Sequence, residues 1–376
     1  MENESKIKDF IRKDIKRKSN IGKISSFVVF LNDFSDLANR LGSKGFEIIG
    51  RYFDRLNPKH ALISSTNADD INLLSGNEYQ LIVSSEPLNN LISINEFLAA
   101  VNTKLESDGT FICRFVPQSV IEKNLNNKYV FPINRMMFCK HYFFHRVFPK
   151  LSLTRKLYFK LTKGKNRSIR KLEMHGRLNA CGFRIHKEYQ AENFTYFTVK
   201  KQGQAYFDQF SSYGLLFKMK RIGKGGKEIK VYKLRTMVPF SEYLQEEFVQ
   251  KNQLDKGGKI CNDIRVTTLG KIMRKLWIDE IPNIVNLIKG EMKIVGVRPL
   301  SKQYLSLYSP ELQKLREKIK PGIIPPFYVD LPETLEEIQE SERKYINSYL
   351  QKPIRTDCNY FFKALGNILF KRLTSK

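Results

Sequence analysis

The chain has 376 residues, with 65 Lys and Arg against 38 Asp and Glu, and a formal net charge of +27. An apolar content of 41% argues against wholesale disorder, and no apolar run reaches the ~18 residues of a simple transmembrane helix. Cys113, Cys139, Cys181, Cys261 and Cys358 form no CxxC pair, which argues against a zinc ribbon or disulfide scaffold and favours a reducing compartment. The first 20 residues carry both charge signs without an apolar stretch, so no signal peptide is expected and a cytoplasmic location is. The positive charge calls for an anionic partner: nucleic acid, a lipid surface or a phosphate-rich substrate.

Residues 6–18 read as a short basic helix, 27–31 and 46–49 as short strands, and 61–64 and 79–83 as buried strands. Over 92–105, Ile94, Phe97, Leu98, Val101 and Leu105 fall at helical spacing. Ser107-Asp108-Gly109 is a turn, and 110–115 a strand. Strands alternating with helices predict an α/β unit with a parallel sheet, to which 183–185 and 194–199 add edge strands. Segments 78–83 and 105–110 read as the later half of a degenerate Rossmann-like domain of the methyltransferase type. No GxGxG or GxGxxG loop is present to hold S-adenosylmethionine, so a structural or regulatory role is expected. There is no P-loop, HExxH or DxD, and His60, His141, His145, His175 and His186 show no metal spacing.

Residues 123–172 hold fourteen Lys or Arg and no Asp or Glu. Tyr129, Phe131, Phe138, Tyr142, Phe143, Phe144, Phe148, Tyr158 and Phe159 are interleaved with them. Such a mixture suits an anionic membrane surface, single-stranded nucleic acid, or a connector whose aromatics fill an interface. The polar, aromatic stretch 203–213 marks the best boundary. It implies a first domain over 1–200, a linker over 201–213 and a second domain over 214–376.

In the second domain, residues 215–221 and 228–235 read as strands joined by Gly223-Lys224-Gly225-Gly226-Lys227, a hairpin turn. Alternation puts Lys218 and Lys220 on one face of the first strand, and Lys233 and Arg235 on one face of the second; paired, they would form a basic platform. Thr267 or Thr268 caps a helix whose apolar face is Leu269, Ile272, Met273 and Leu276. Trp277 ends it. Pro282 is tolerated only in a first turn, so a new helix begins at Asp279 or Glu280, runs to Lys289 and closes at Gly290. A strand over 292–297 follows. Asp279 is then an ordinary N-cap, or one of two carboxylates diverging by about 100° at a helix start. There one could face a phosphorus while the other holds a metal, with Lys233, Arg235, Arg265 and Arg298 for phosphate.

The blocks Arg221-Ile222-Gly223-Lys224-Gly225-Gly226-Lys227, Val231-Tyr232-Lys233-Leu234-Arg235-Thr236-Met237, Asn262-Asp263-Ile264-Arg265-Val266-Thr267, Asp279-Glu280-Ile281-Pro282, Lys293-Ile294-Val295-Gly296-Val297-Arg298-Pro299 and Lys320-Pro321-Gly322 stand in this order. They resemble the bacterial sugar transferase family, the monotopic phosphoglycosyl transferases of cell-surface polysaccharide synthesis. The resemblance implies an α+β catalytic domain that moves a sugar-1-phosphate from an NDP-sugar, a UDP-sugar in the first instance, to a polyprenyl phosphate. It makes Asp279 the nucleophile that carries an aspartyl-phosphosugar and Glu280 the Mg²⁺ ligand. Lys233, Arg235, Arg265 and Arg298 become phosphate-binding positions.

Two departures stand out. The family's apolar re-entrant helix before the hairpin has no counterpart in residues 185–213, and Ile323-Ile324-Pro325-Pro326-Phe327-Tyr328 follows Lys320-Pro321-Gly322 where the family reads Ile-Thr-Gly. Membrane contact on the inner face of the cell membrane is therefore expected from 123–172, or from the amphipathic, basic tail with Tyr360, Phe361, Phe362, Lys363, Leu365, Ile368, Leu369, Phe370, Lys371 and Arg372. The same tail could instead dock on its domain. A non-catalytic scaffold of polysaccharide assembly is the alternative. Nucleic acid is not the expected partner, although the charge alone would allow it.

Overall fold

A computed structural model describes residues 34–54, 56–205, 214–244, 254–255, 259–260 and 263–370. The helix expected over 6–18, the strand over 27–31 and most of the 203–213 stretch lie outside the described residues. The chain divides into two compact units, the main division falling between residues 209 and 210.

The first unit is built on a five-stranded sheet. Its elements are α1 (Phe34–Gly50), β1 (His60–Ile63), α2 (Ala68–Asn72), β2 (Tyr79–Pro87), α3 (Ile94–Lys104), β3 (Leu105–Phe115), α4 (Gln118–Lys128), α5 (Ile133–Tyr142), α6 (Ser152–Thr162), α7 (Lys171–Ala180), β4 (Phe183–Ala191) and β5 (Phe194–Lys201). A π-helical turn, Phe143–Val147, lies between α5 and α6. The strand order is β1-β2-β3-β5-β4. β1, β2 and β3 run parallel, and β5 pairs antiparallel with both β3 and β4.

The period of two along each strand explains the two cores. Ala61, Ile63, Ile82, Phe111, Cys113 and Phe115 join Phe97, Leu98 and Val101 of α3 on one face. Leu62, Leu81, Val83 and Ile112 join Leu41, Ile48 and Ile49 of α1 on the other. With both faces covered, Leu81-Ile82-Val83 can be continuously apolar, as in parallel sheets generally.

Three local expectations change. Residues 46–49 are helical because Ile48 and Ile49 of α1 are needed to cover the second face. The turn at 107–109 lies inside β3, where Asp108 takes φ 60° and the pairing with β2 slips. β5 is interior, so only β4 of the late pair is an edge.

Within the basic segment, α6 is anchored by Tyr158, buried to 1% exposure, whose hydroxyl donates to the Lys165 carbonyl at 3.0 Å. His145 Nδ1 lies 3.2 Å from the same hydroxyl. Arg146 is buried against Glu173 at 2.9 Å, and Glu173 also takes Arg177 at 2.9 Å.

The second unit contains the hairpin β6 (Leu216–Ile222) and β7 (Glu228–Leu234), the short pair β8 (Leu254–Asp255) and β9 (Lys259–Ile260), then α8 (Thr268–Lys275), α9 (Ile284–Ile288), β10 (Lys293–Val295), α10 (Lys302–Leu305), α11 (Pro310–Glu317), β11 (Gly322–Ile324), α12 (Phe327–Asp330), α13 (Leu335–Gln351) and α14 (Pro353–Phe370). β10 and β11 are parallel. Its core gathers Val295, Val297, Leu300, Tyr308, Leu312, Ile319, Tyr345, Ile346 and Tyr360. α14 docks by Tyr360 and Ala364 and leaves Ile354, Phe362 and Leu369 exposed. Among the described residues, no helix is long and apolar enough to cross a membrane.

Burial, aided by the neighbouring His141, holds His145 down at about 4, below its ordinary 6.5. The folded chain keeps this imidazole neutral while the unfolded chain protonates it below pH ~6.5. Stability is therefore full above that pH and falls as pH drops toward about 4. The difference in urea midpoint between about pH 7 and about pH 5 is expected to shrink in His145→Gln.

Candidate active site

The hairpin register overturns the expected basic platform. Phe217 faces Lys233, and Lys218 faces Tyr232. Opposed residues share a face, so Lys218 and Lys220 lie on one side of the hairpin and Lys233 on the other. Lys218 accordingly sits 5.9 Å from the centre of the Tyr232 ring, while Arg235 lies over Phe217 at 4.8 Å and donates to the Gly214 carbonyl.

Asp279 and Glu280 occupy a 3₁₀ turn, Ile278–Asn283, that leads directly into α9. Pro282 lacks the N–H that would bond four residues back, so regular α-helix begins only beyond it. Trp277, not Asp279, is the N-cap; its φ is 59°, and its carbonyl accepts the Glu280 N–H at 3.2 Å. A tryptophan in left-handed conformation is locally costly. Its ring lies 4.7 Å from that of Tyr328, a tertiary contact that holds it there. The predicted close at Gly290 is present, with φ 68°.

Asp279 is 3% exposed. Lys233 Nζ reaches Glu280 Oε1 at 2.5 Å, both side chains being mostly buried. Arg274, in the last turn of α8, feels four charged members of the site at once. Burial lowers its pKa, Asp279 and Asp263 raise it, and Arg265 and Arg298 lower it again. Its Nε donates to Thr236 Oγ1 at 3.0 Å. Arg265, 4% exposed, forks onto Asp263 through Nε at 2.8 Å and Nη2 at 2.7 Å. Burial alone would raise the Asp263 carboxyl, but this guanidinium outweighs it and holds the group low. Arg221 is lowered by burial and by the charge of Arg298, so two cations of the site stand close enough to repel.

Three backbone contacts assemble these groups. The Thr236 carbonyl accepts the N–H of Thr267 at 2.9 Å and its hydroxyl at 3.1 Å. Thr267 is the predicted cap of α8 and accepts from the Gly270 N–H at 2.9 Å. A Cβ at Gly270 would lie 2.1 Å from the Thr236 carbonyl oxygen, so only glycine permits the approach. Asn286, fully buried, joins α9 to β7: its Nδ2 donates to the Lys230 carbonyl at 2.8 Å, and its Oδ1 accepts from the Tyr232 N–H at 3.3 Å. Gly296 and Gly322 pass so closely that a Cβ on Gly322 would sit 2.1 Å from the Gly296 nitrogen. That crossing sets the strand end that presents Arg298, an exposed residue.

Arg274, Thr236 and Asn286 are site-building residues that sequence reasoning missed. Asn286 left a readable signal, a lone amide inside Ile284-Val285-Asn286-Leu287-Ile288. Arg274 left none, because α8 ends between it and Asp279.

The apolar face expected for α8 is also revised. Only Met273 is buried; Leu269, Ile272 and Leu276 are exposed, as are Ile281, Ile284, Val285 and Ile288 after the carboxylates. Among the described residues, no three His, Cys, Asp or Glu side chains come together as a metal cage. Mg²⁺ in phosphoryl-transfer sites commonly takes one or two carboxylates plus substrate phosphates, and the adjacent Asp279 and Glu280 could supply the carboxylates of that mode.

Residues 205–371 match the model of the family described as bacterial sugar transferase. The match takes in less than half of the chain, and it is this carboxy-terminal part that is similar to the family. An uncharacterized sugar transferase, EpsL, of Bacillus subtilis is 38% identical over 109 residues, 29% of this chain and 48% of that protein. The UDP-N-acetylgalactosamine-undecaprenyl-phosphate N-acetylgalactosaminephosphotransferase of Aeromonas hydrophila is 34% identical over 111 residues, 29% of this chain and 24% of its own length. The UDP-glucose:undecaprenyl-phosphate glucose-1-phosphate transferase of Klebsiella pneumoniae is 36% identical over 111 residues, with 22% of its length covered. The chain thus spans about half or less of these relatives. Most of the matched range falls in the second unit, and the whole constellation of Lys233, Arg265, Arg274, Asp279, Glu280 and Arg298 lies within it.

Replacing Asn286 with Ala leaves the Lys230 carbonyl and Tyr232 N–H without their buried partner. A loss of about 2 kcal/mol in urea unfolding is expected. Gly322→Ala is expected to cost about 3 kcal/mol by overpacking, read the same way.

Proposed function

We propose that the chain is a phosphoglycosyl transferase that moves a sugar-1-phosphate from a UDP-sugar to a polyprenyl phosphate in cell-surface polysaccharide synthesis. The observation that carries the reading is the buried Asp279, whose charge Arg274 feels, next to Glu280 held by Lys233, inside a segment that matches the sugar transferase family. The names of the Aeromonas and Klebsiella relatives supply the substrate classes.

Asp279 attacks the β-phosphorus of the nucleotide sugar, and the bond to the bridging oxygen of the diphosphate breaks. UMP leaves with that electron pair, and the sugar-phosphate stays on the aspartyl oxygen. A phosphate oxygen of the polyprenyl phosphate then attacks the same phosphorus and frees the carboxylate. Arg274 adds positive charge near the attacking carboxylate, and burial of Asp279 keeps water from the acyl phosphate. The mutually repelling Arg221 and Arg298 are relieved by an incoming diphosphate, and Lys233 and Arg235 add to that pull. Arg265 acts through Asp263 and Arg274. Glu280 would hold Mg²⁺, which supplies charge neutralisation on the diphosphate when bound. The exposed side chains of α8 and α9 support an apolar approach for the acceptor lipid, with the protein peripheral on the inner face of the membrane.

The first unit is read as a Rossmann-like, methyltransferase-type domain. Its support is the parallel β1-β2-β3 order with helical crossovers. Without a glycine-rich loop it takes a structural role.

Purified protein given UDP-sugars, Mg²⁺ and polyprenyl phosphate in detergent is expected to release UMP. Asp279→Asn should lower the rate by about a thousandfold or more while leaving the unfolding midpoint close to the parent's. With radiolabelled UDP-sugar and no acceptor, label should remain on the parent chain and be absent from Asp279→Asn. No release with any sugar from folded parent protein would instead favour the scaffold.

A further inference from the structure

α6 displays a leucine stripe that no described residue covers. Leu153, Leu157 and Leu161 are 91%, 56% and 64% exposed. They recur every four residues, so they drift by only about 40° per step along one side of the helix. The opposite side is docked through buried Tyr158, so the helix is held with its leucines outward. Lys156 and Lys160 are exposed and flank the stripe on one edge. Phe131, Met136 and Phe143, just before α6, are 78%, 64% and 56% exposed.

We propose that this face of α6 is a lipid-docking surface that seats the first unit on an anionic bilayer. Three arguments select this occupant. A row of exposed leucines is unusual on a soluble surface and marks an interaction site. Several of the fourteen basic residues of 123–172 are paired with acidic residues outside it, but Arg155, Lys156 and Lys160 on α6 are exposed, and α6 carries no acidic residue. Anionic headgroups answer a uniform positive charge without any matching pattern of partner side chains. Finally, leucines beside lysines match the layering of a bilayer surface: the methyl groups enter the acyl boundary, and the lysine stems reach back to phosphate. The inference rests on the first unit alone and stands apart from the chemistry assigned to Asp279.

The test uses the full chain and flotation with vesicles of phosphatidylcholine, alone or mixed in equal parts with phosphatidylglycerol. The parent should bind the mixed vesicles strongly and the neutral ones weakly. The triple variant Leu153→Ser, Leu157→Ser, Leu161→Ser should lose on the order of a hundredfold in partition. Lys156→Gln with Lys160→Gln should lose about fivefold per residue on the anionic vesicles and little on the neutral ones. UMP release in detergent should be unchanged in both variants, which separates this surface from the active site. Unchanged vesicle binding in the leucine variant overturns the proposal, as does equal binding of the parent to both lipids. A parent dimer that the leucine variant dissociates in sedimentation velocity also overturns it, because the stripe would then belong to an interface between copies. Tight binding of the parent to single-stranded RNA that is lost in the lysine variant, without vesicle binding, would likewise overturn it.

Discussion

The carbonyl of Thr236 is the fixed point of the second unit. It accepts the backbone and the hydroxyl of Thr267, and Gly270 lies against it at a distance no side chain would allow. The segment after β7 is thereby sealed to the start of α8, and Val238 bonds the Arg265 carbonyl at 2.8 Å along the same seam. α8 leaves this seam in one direction only, and its last turn delivers Arg274 to Asp279. Loss of the close approach would move a charge several residues away, because a short helix transmits displacement at its capped end to its other end.

Electrostatics gives the site its character. Two adjacent carboxylates are answered by different cations, Asp279 by Arg274 and Glu280 by Lys233. Arg221 and Arg298 add positive charge; burial first, and then the charge of Arg298, lowers Arg221. A buried ion pair contributes little net stability once desolvation is counted, so these pairs are not explained by stability alone. The left-handed Trp277 beside Tyr328 belongs to the same logic, with local backbone strain held by tertiary packing at the position that orients both carboxylates.

The first unit separates its charges by depth. Glu173 is buried among Arg146, Arg177 and Lys150, which together outweigh its desolvation and keep it ionised. Arg155, Lys156 and Lys160 are exposed on α6, which projects Leu153, Leu157 and Leu161 outward. The sheet beneath has helices on both faces and needs none of those outer side chains for its core.

Much of this was legible in the residues alone. The ordered motif blocks carried the resemblance that the family match over residues 205–371 repeats, and the fold puts the buried Asp279 next to Glu280 in the turn before α9. The hairpin glycines, the Thr267 cap and the Gly290 stop were readable because each satisfies a local backbone requirement. Strands 61–64 and 79–83 were readable because a strand buried on both faces must be apolar throughout. Tertiary structure alone decided the rest. It set the hairpin register that parts Lys218 from Lys233, since alternation within a strand says nothing about its partner's phase. It brought Arg274 to Asp279 across a helix end, where periodicity is broken. It also decided which apolar faces are covered. Helical spacing is the same in a buried stripe and an exposed one, so the pattern of Leu269, Ile272 and Leu276 could be assigned only once the neighbouring elements were in place.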